Sequence, residues 1–384
     1  MARYEVISAD GHVETPLDFE RRVPASHRDF APKLVDKDDG SQWWVVNDEL
    51  AHDNVGNLYC GLRFDEFTPA TAGTYFHPDG SPRPGTGNAV QRLREQDLDG
   101  ISAEVLYPPV FMGGLIRPLA KRNPDAYRSI IRAYNDFLGL EYCAVAPDRL
   151  IGNAMVPATG VDDAIAEMQH AQEIGLRSIC LSAWPNGSDD PAPEDDRFWA
   201  AALEMDMKLS PHGSFGGGTI QSPTGLTAEL ATVGMPGLGV GACIGKLMAS
   251  GVFDRFPGIR FYFAETHAGW LPYQLSGRMD EFYMRWYRYF DVPLSKLPSQ
   301  YYRDHCRFSF IQDRMAMEFR HYIGLEMLMW GTDFPHSETT FPHTRRILPE
   351  LFDGVPENER RQVLRDNVIE FFSLDAEREL TPTP

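Results

Sequence analysis

The chain has 384 residues, of which 43% are hydrophobic and 24% charged, a composition typical of a globular protein with a sizeable core. Lys and Arg number 36 against 55 Asp and Glu, and the formal net charge of −19 argues against nucleic acid or an anionic membrane as the main partner. The five cysteines are scattered without a C-x-x-C pair, so we expect reduced thiols in a cytoplasmic protein rather than a zinc finger, an iron–sulfur cluster or a disulfide scaffold. No stretch approaches 18 consecutive apolar residues, so we expect no membrane span.

Short apolar strands alternate with helical stretches along the chain. The first predicted strand covers 4–9. Residues 20–87 then interrupt the alternation with a Trp- and Val-rich strand and a Pro/Gly-rich loop, which we interpret as an insertion after strand one. Asn88 is a good N-cap for the helix that follows, and Pro124 begins a long helix that ends near residue 146. Seven further strands are predicted at 103–107, 150–156, 178–183, 208–212, 259–265, 307–311 and 327–330, and residues 375–384 form a C-terminal tail.

The predicted strands are apolar runs rather than alternating patterns, which is typical of a parallel sheet buried on both faces. Eight such strands, mostly separated by helices, close most simply into a (β/α)₈ TIM barrel, in a single domain that spans residues 1–384. A doubly wound open sheet is the alternative. In a barrel of this kind the active residues lie at the carboxyl ends of the strands.

Seven potential metal ligands follow the carboxyl ends of four predicted strands. They are Asp10 and His12 after strand one, His212 at strand five, Glu265 and His267 at strand six, and Asp333 and His336 after strand eight. Each of these residues alone is a weak signal, but together they predict one cluster on one rim of the barrel. Imidazole and carboxylate ligands suit Zn, Mn or Fe.

Three segments carry a resemblance to a known family: ISADGHV at 7–13, ETHAGWLP at 265–272 and WGTDFPH at 330–336. They resemble the amidohydrolase-2 family, the relatives of aminocarboxymuconate-semialdehyde decarboxylase, and the resemblance extends from about residue 4 to 372. It implies a metal-bearing barrel of the type that supports decarboxylases, hydrolases and hydratases. It also implies that Asp10, His12, His212 and Asp333 bind the metal.

The chain departs from the decarboxylases of that family in three respects. Its first motif is D-x-H instead of H-x-H, Glu265 stands where those decarboxylases carry a histidine, and His267 stands where many relatives have a small residue. No lysine on the fourth strand could form a carbamylated bridge. We interpret the surplus of ligands as a site for two iron ions, with Glu265 as the bridging carboxylate and Asp10 or Asp333 as a second bridge.

Within this fold, three features resemble the nonheme diiron monooxygenases of platensimycin-type biosynthesis. They are the D-x-H motif after strand one, the extra ligands on strand six and the aromatic residues at the strand ends. That resemblance implies hydroxylation of an apolar, terpenoid acyl-coenzyme A or carboxylic acid by O₂, with electrons from an external donor. The catalytic residues would be Asp333, Glu265 and His267.

The alternative is a mononuclear Zn or Mn hydrolase or nonoxidative decarboxylase of a small organic acid. It would use Asp10, His12, His212 and Asp333, with Asp333 as general base or electrostatic partner. His267 and His336 would then only support the ligands. A non-catalytic binding protein is a remote third hypothesis, because so many polar ligands are costly to bury without a metal.

Aromatic residues at strand ends predict an apolar substrate pocket for a small molecule. They are Trp184, Phe215, Trp270 and Phe334, with His343 as a further substrate contact. The Gly-rich stretch 216–241 predicts a mobile loop over the barrel mouth. We also expect a homodimer.

Overall fold

The structure, a computed structural model, describes residues 3–47, 50–53, 60, 74–77, 79–109, 112, 115–213, 215–216, 236–286 and 294–384. Its strands are β1 (Ile7–His12), β2 (Lys33–Asp36), β3 (Gln42–Val46), β4 (Leu50–Asp53), β5 (Ala103–Tyr107), β6 (Leu150–Met155), β7 (Ser178–Cys180), β8 (Lys208–Leu209), β9 (Phe261–Phe263), β10 (Cys306–Phe310) and β11 (Leu328–Trp330). Eight of them form one parallel sheet in the order β1-β5-β6-β7-β8-β9-β10-β11, and β2, β3 and β4 form a separate antiparallel sheet. Each predicted barrel strand is therefore present, but the first is shifted from 4–9 to Ile7–His12. Asp10 and His12 lie within β1 rather than after it.

Contacts between β1 and the segment after β11 close the eight-stranded sheet. The Asp333 N–H donates to the Asp10 carbonyl at 2.9 Å, and the His12 N–H donates to the Phe334 carbonyl at 2.7 Å. Gly331 permits this approach, since a Cβ there would lie only 2.6 Å from the Cβ of Asp10. The (β/α)₈ barrel is confirmed, and the open-sheet alternative is excluded because the first and last strands meet.

Some strands are shorter than predicted, and β8 is the clearest case. The predicted strand ran from 208 to 212, whereas the observed ladder ends at Leu209. Pro211 has no N–H to donate, so the ladder cannot continue through it. The chain nevertheless stays beside its neighbour, because Ala264 N–H donates to the Pro211 carbonyl at 3.0 Å and His212 forms an isolated parallel bridge with Ala264. His212 therefore still leaves the barrel at its carboxyl end.

Helices cover the outside of the barrel. They span Ala89–Asp99, Leu119–Arg122, Pro124–Asp136, Val161–Glu173, Asp196–Glu204, Pro236–Ala249, Val252–Arg255, Leu271–Tyr273, Met279–Trp286, Pro298–His305, Arg314–Glu318, Arg320–Ile323, Thr344–Leu351, Glu357–Arg361 and Asn367–Phe372. The Asn88 side chain accepts a hydrogen bond from the Gln91 N–H, which confirms the predicted N-cap. None of the described helices is long and apolar enough to cross a membrane.

Two apolar layers hold the barrel together. Outward side chains such as Phe261 and Phe308 pack against the helices. Inward side chains such as Ile7 and Tyr262 fill the barrel, and Phe371 and other residues of the last helix pack against them. Because side chains alternate along each strand, a residue between two helix-facing neighbours points into the barrel.

The region between β1 and the helix Ala89–Asp99 contains the antiparallel sheet and two short 3₁₀ turns, Phe19–Arg21 and Ala25–Phe30. Trp44 of β3 is completely buried in the outer core. The limits of the insertion, 20–87, and of the tail, 375–384, stay predictions. The predicted mobile loop at 216–241 lies largely outside the described residues, and its last part is helical from Pro236 onward, five residues earlier than we expected.

Candidate metal centre

Six of the seven predicted ligands converge at the carboxyl end of the barrel. They form two overlapping groups: Asp10, His12, His212 and Asp333, and His12, Glu265, Asp333 and His336. Within each group, one ligand atom per residue lies within 4.8 Å of all the others. The strand register that we used for the prediction therefore places these side chains on one face.

His12 presents a fixed nitrogen to this cluster. Its Nδ1 lies 2.9 Å from the Pro108 carbonyl, which can only accept, so Nδ1 carries the proton and Nε2 offers its lone pair. That Nε2 lies 3.0 Å from His212 Nε2 and 3.3 Å from Asp333 Oδ1. The orientation is that of a metal-ligating histidine whose other nitrogen is held by the backbone.

The surroundings of the Asp10 carboxylate indicate that a cation binds at this point. Both carboxylate oxygens of Asp10 are buried and have no hydrogen-bond partner among the described residues. Oδ1 lies 3.7 Å from His12 Nε2 and 3.8 Å from His212 Nε2. His336 Nε2 is likewise buried, and no described residue forms a hydrogen bond with it. Unpaired polar atoms of this kind are costly in a protein interior unless a metal or a proton satisfies them. The mixed nitrogen and oxygen donors fit an ion such as Mn or Zn.

The pKa values in the cluster show how protons occupy it when no cation is present. Burial raises the pKa of both Asp10 and Asp333, and burial together with His336 and His212 lowers the pKa of His12. Burial opposes protonation of His212, but the carboxylate of Glu265, 3.0 Å from its Nε2, outweighs this effect and raises the pKa of His212 to about 9. Burial acts against the Glu265 carboxylate, yet His212 lowers the pKa of Glu265 overall. The metal-free centre therefore holds a His212–Glu265 ion pair.

Two of the candidate ligands have an unusual backbone. Glu265 and Asp333 have φ of +51° and +55°, in the left-handed region that residues with a side chain rarely adopt. The Ser309 hydroxyl accepts a 2.6 Å hydrogen bond from the Glu265 N–H, and the bond from the Asp333 N–H to Asp10 holds the other position. Such conformations cost about 1–3 kcal/mol each and concentrate at functional sites.

The seventh predicted ligand, His267, is not part of the cluster. Its Nε2 lies 3.4 Å from Glu338 Oε2, and 31% of its side chain is exposed. His267 is in neither of the two ligand groups, since its ring pairs with Glu338. That His267 binds a metal stays a prediction. His336 belongs to the cluster through Asp333, whose Oδ1 lies 2.8 Å from His336 Nδ1, and its ring packs on that of His12 at 3.9 Å.

Sequence reasoning missed the buried Arg92. Its guanidinium donates a short hydrogen bond to the His12 carbonyl, lies 3.6 Å from the Glu104 carboxylate and packs over the Phe334 ring at 4.4 Å. It therefore connects the first strand to the segment after the last one, directly behind the cluster. A signal was present, because Arg92 lies on the same helical face as the apolar residues Ala89 and Leu93.

Tyr107, which ends β5, was also missed. Its ring centroid lies 5.9 Å from that of His12 and 5.3 Å from that of His212, and its hydroxyl forms a short hydrogen bond with Ser210. The Tyr107 ring therefore borders the cluster on the side of β5. Its place at a strand end was the signal that could have found it.

The predicted pocket residues are mostly packing residues. Trp184 and Phe215 are buried in the outer core with ring centroids 5.0 Å apart, and Trp270 packs edge-on against Phe308.

Phe334 is buried beside Phe341 and Arg92. His343 is the N-cap residue of the helix Thr344–Leu351. That any of the five contacts a substrate stays a prediction.

The chain is similar in sequence to an amidohydrolase family and to known decarboxylases. A family model described as amidohydrolase matches residues 104–374. The chain is 29% identical over 210 residues to decarboxylase orsB of Emericella nidulans, across 51% of the chain and 58% of that protein, so the match spans less than two thirds of this relative. It is 26% identical over 315 residues to gamma-resorcylate decarboxylase of Rhodococcus jostii, across 74% of the chain and 87% of that protein.

Solved structures share the fold. An amidohydrolase from Mycobacterium avium subsp. paratuberculosis has a TM-score of 0.70 at 18% identity, covering 97% of this chain and 98% of that one. A 5-carboxyvanillate decarboxylase from Novosphingobium aromaticivorans, complexed with manganese and 4-hydroxy-3-methoxy-5-nitrobenzoic acid, has a TM-score of 0.65 at 19% identity, covering 97% and 96%.

Proposed function

The chain belongs to the amidohydrolase family, and from this premise we propose that it is a metal-dependent, nonoxidative decarboxylase of a hydroxylated aromatic acid. The observation that carries the proposal is the convergence of Asp10, His12, His212 and Asp333 at the carboxyl end of the barrel. Two curated relatives that are decarboxylases support the reaction type. The reaction replaces a ring carboxylate with hydrogen and releases CO₂, so it needs neither O₂ nor an electron donor.

One ion of the Mn or Zn type would be held by Asp10, His12, His212 and Asp333. Manganese in the structurally similar 5-carboxyvanillate decarboxylase supports this choice. When bound, such an ion orients the oxygens of the substrate and stabilises negative charge on them.

The substrate approaches from the side of Glu265 and His212. Their side chains are 29% and 17% exposed, whereas those of Asp10 and His12 are completely buried and that of Asp333 is 1% exposed. The Glu265 carboxylate can accept a hydrogen bond from a substrate hydroxyl. A hydroxyl on the ring is therefore part of the substrate that we propose.

The Asp333–His336 pair supplies the proton in this proposal. Cleavage of the carbon–carbon bond leaves the electron pair on the ring carbon, which takes up one proton while CO₂ leaves. Asp333 Oδ1 and His336 Nδ1 lie 2.8 Å apart, and both side chains are almost fully buried. In the metal-free protein, burial and the Glu265 charge raise the pKa of the Asp333 carboxyl.

The diiron monooxygenase hypothesis has little support. The two candidate ligand groups share His12 and Asp333, so they are not two independent sets. His267, which we expected to hold a second iron, pairs with Glu338. The relatives reported above that have a named reaction are decarboxylases.

A substrate panel tests the proposal. Protein loaded with Mn(II), Zn(II) or Fe(II) is incubated with mono- and dihydroxybenzoates and their methoxylated analogues, and CO₂ and the aromatic product are quantified. We expect turnover of at least one ortho-hydroxylated acid, loss of turnover in Asp333→Asn, and retention in the surface control Asp353→Asn. No turnover with any metal and acid, or full activity of Asp333→Asn, would overturn the proposal.

A further inference from the structure

A cavity opens at the amino-terminal end of the barrel, at the opposite end from the metal centre. Its volume is about 600 Å³, within the range typical of small-molecule sites. Its lining includes both residues of β8, residues 257–260 directly before β9, and Arg307 near the start of β10, together with the ends of the helices Asp196–Glu204 and Pro298–His305. Neither the proposed reaction nor the metal ligands use this cavity.

The lining is strongly cationic in a chain whose net charge is −19. It contains five cationic side chains, Lys208, Arg260, Lys296, Arg303 and Arg307, and three acidic ones, Asp206, Asp304 and Glu370. Each acid is already paired with one cation: Asp206 with Lys208 at 2.5 Å, Asp304 with Lys296 at 2.7 Å and Glu370 with Arg260 at 2.7 Å. Among the described residues, no carboxylate lies within 4.0 Å of Arg303 or Arg307, so the cavity has two positive charges in excess.

Arg307 is the more unusual of these two residues. Only 6% of it is exposed, and its buried Nε has no hydrogen-bond partner in the part of the chain that the structure describes. Its Nη1 donates only to the backbone carbonyls of Cys306 and Arg303, at 2.9 and 3.2 Å. It stands opposite the inward-facing Tyr262 in the β9–β10 register, and its neighbours Cys306 and Phe308 belong to the outer core. Arg307 therefore lies on the inward face of β10, at the barrel's amino-terminal mouth.

Arg303 differs because its guanidinium is already used by the protein. Its Nη1 donates to the Ile323 carbonyl at 2.6 Å and its Nη2 to the Tyr322 carbonyl at 3.1 Å. A buried guanidinium such as that of Arg307 is costly to leave without an anion, since its desolvation is not repaid. An anion that reaches Arg307 would remove that cost.

We propose that this cavity binds a small, multiply charged oxyanion of the phosphate or carboxylate type. The fork of Arg307 is suited to bind two oxygens at once, which is how guanidinium groups recognise both kinds of anion. Lys208 and Arg260, whose side chains are 17% and 46% exposed, lie around the cavity as well, and each balances one acid of the lining. The excess of two positive charges in the lining can match an anion with two negative charges.

Binding of three probe anions to the metal-loaded protein tests the proposal. Inorganic phosphate, sulfate and succinate are compared with sodium chloride at equal ionic strength, by thermal unfolding and by titration calorimetry. We expect at least one of them to raise the unfolding midpoint by about 2 °C or more at millimolar concentration, since a ligand of the folded state stabilises it by mass action. A response to phosphate and sulfate identifies a tetrahedral anion as the ligand class, and a response to succinate alone identifies a dicarboxylate.

Substitutions of the cationic lining residues test whether the anion binds in the cavity. Arg307→Gln is expected to weaken binding about tenfold or more. Because this buried variant could fail to fold, Arg260→Gln and Lys208→Gln, on partly exposed side chains, are expected to weaken binding as well. The control Arg197→Gln removes an exposed arginine that is paired with Asp162 in a similar way, and it should bind as the parent does.

Three results would overturn the proposal. The first is the absence of any response beyond that to chloride. The second is unchanged binding in both Arg260→Gln and Lys208→Gln, or equal weakening in Arg197→Gln. The third is loss of binding in His12→Gln, because the anion would then sit at the metal centre rather than in the cavity.

Discussion

His12 and His212 are 200 residues apart in the chain, yet their Nε2 atoms lie 3.0 Å from each other. Because the Nδ1 proton of His12 is held by the Pro108 carbonyl, its Nε2 can only accept. The contact is therefore favourable only if His212 Nε2 carries a proton or if both nitrogens bind the same cation. This competition between a proton and a metal determines how the centre responds to substitution and to pH.

Loss of a ligand should lower the affinity for metal. We expect His12→Gln and Asp10→Asn each to weaken Mn(II) or Zn(II) binding by at least about 100-fold, since even the partners that orient ligands contribute 10–100-fold. The matched control is His321→Gln, on a side chain that is 63% exposed and paired with Glu359. Titration calorimetry on metal-stripped protein measures the effect. Unchanged affinity in both ligand variants would show that the metal binds elsewhere.

Metal affinity should rise with pH. In the metal-free protein Glu265 raises the pKa of His212 to about 9, so below that pH an incoming metal must displace a proton. We expect at least one proton released per ion, hence about a tenfold gain in apparent affinity per pH unit between pH 7 and 8.5, which levels off above about pH 9. Glu265→Gln removes the neighbouring charge that raises this pKa and should move the rise to lower pH, whereas Glu318→Gln should not. Affinity that does not change with pH would contradict the His212–Glu265 pair.

The same proton affects the metal-free fold. Since the pKa of His212 is raised on folding from 6.5, its contribution to stability is complete below about pH 6.5 and is lost as the pH rises through about 9. The raised pKa values of Asp10 and Asp333 act in the same direction. Metal loading should therefore stabilise the protein most at alkaline pH.

The sequence predicted six of the residues that converge at this centre, because strand ends in a parallel barrel meet on one rim. Asp10, His212 and Asp333 could be placed from strand order alone. The pairing of His267 with Glu338 could not be predicted, since Glu338 lies 71 positions away in the chain and only the folded loops bring the two side chains together. The role of Arg92 could not be predicted for the same reason, because its contacts with His12 and Glu104 depend on how the barrel closes.

Arg92 should be essential for stability rather than for chemistry. Among the described residues, Arg92→Met leaves the buried Glu104 carboxylate with one hydrogen bond, from Gln96 at 2.8 Å. We expect a loss of about 3–5 kcal/mol in the free energy of unfolding, the usual effect of removing one partner from a buried ion pair. Arg94→Met, on the exposed side of the same helix, should change it by less than about 0.5 kcal/mol. Urea unfolding measures both.

The pair Arg92→Met and Glu104→Gln gives the control for that interpretation. Removing the charge of Glu104 as well should recover part of the loss, because no uncompensated carboxylate remains buried. A double variant that is destabilised by the full sum of the two single effects would show that Arg92 acts through packing instead.

A substitution of His267 distinguishes a centre that binds one metal ion from a centre that binds two. The His267–Glu338 contact is 31% and 43% exposed, so its removal should cost little stability. We expect His267→Asn to keep the metal content of the parent, about one ion per chain, and to keep decarboxylase activity within a few-fold. Metal analysis of the two proteins purified without oxygen decides the point. A fall from two ions per chain to one would restore His267 as a ligand and the dinuclear hypothesis with it.

The most direct test of the account is the fate of the carboxyl carbon in the absence of oxygen. Mn(II)-loaded protein is sealed without O₂ together with a ring-hydroxylated benzoic acid labelled with ¹³C at its carboxyl group, and ¹³CO₂ and the phenol are measured by mass spectrometry. We predict equal amounts of the two products, at the same rate as in air. A product that forms only with O₂ and carries an oxygen atom from ¹⁸O₂ would contradict decarboxylation and identify a monooxygenase.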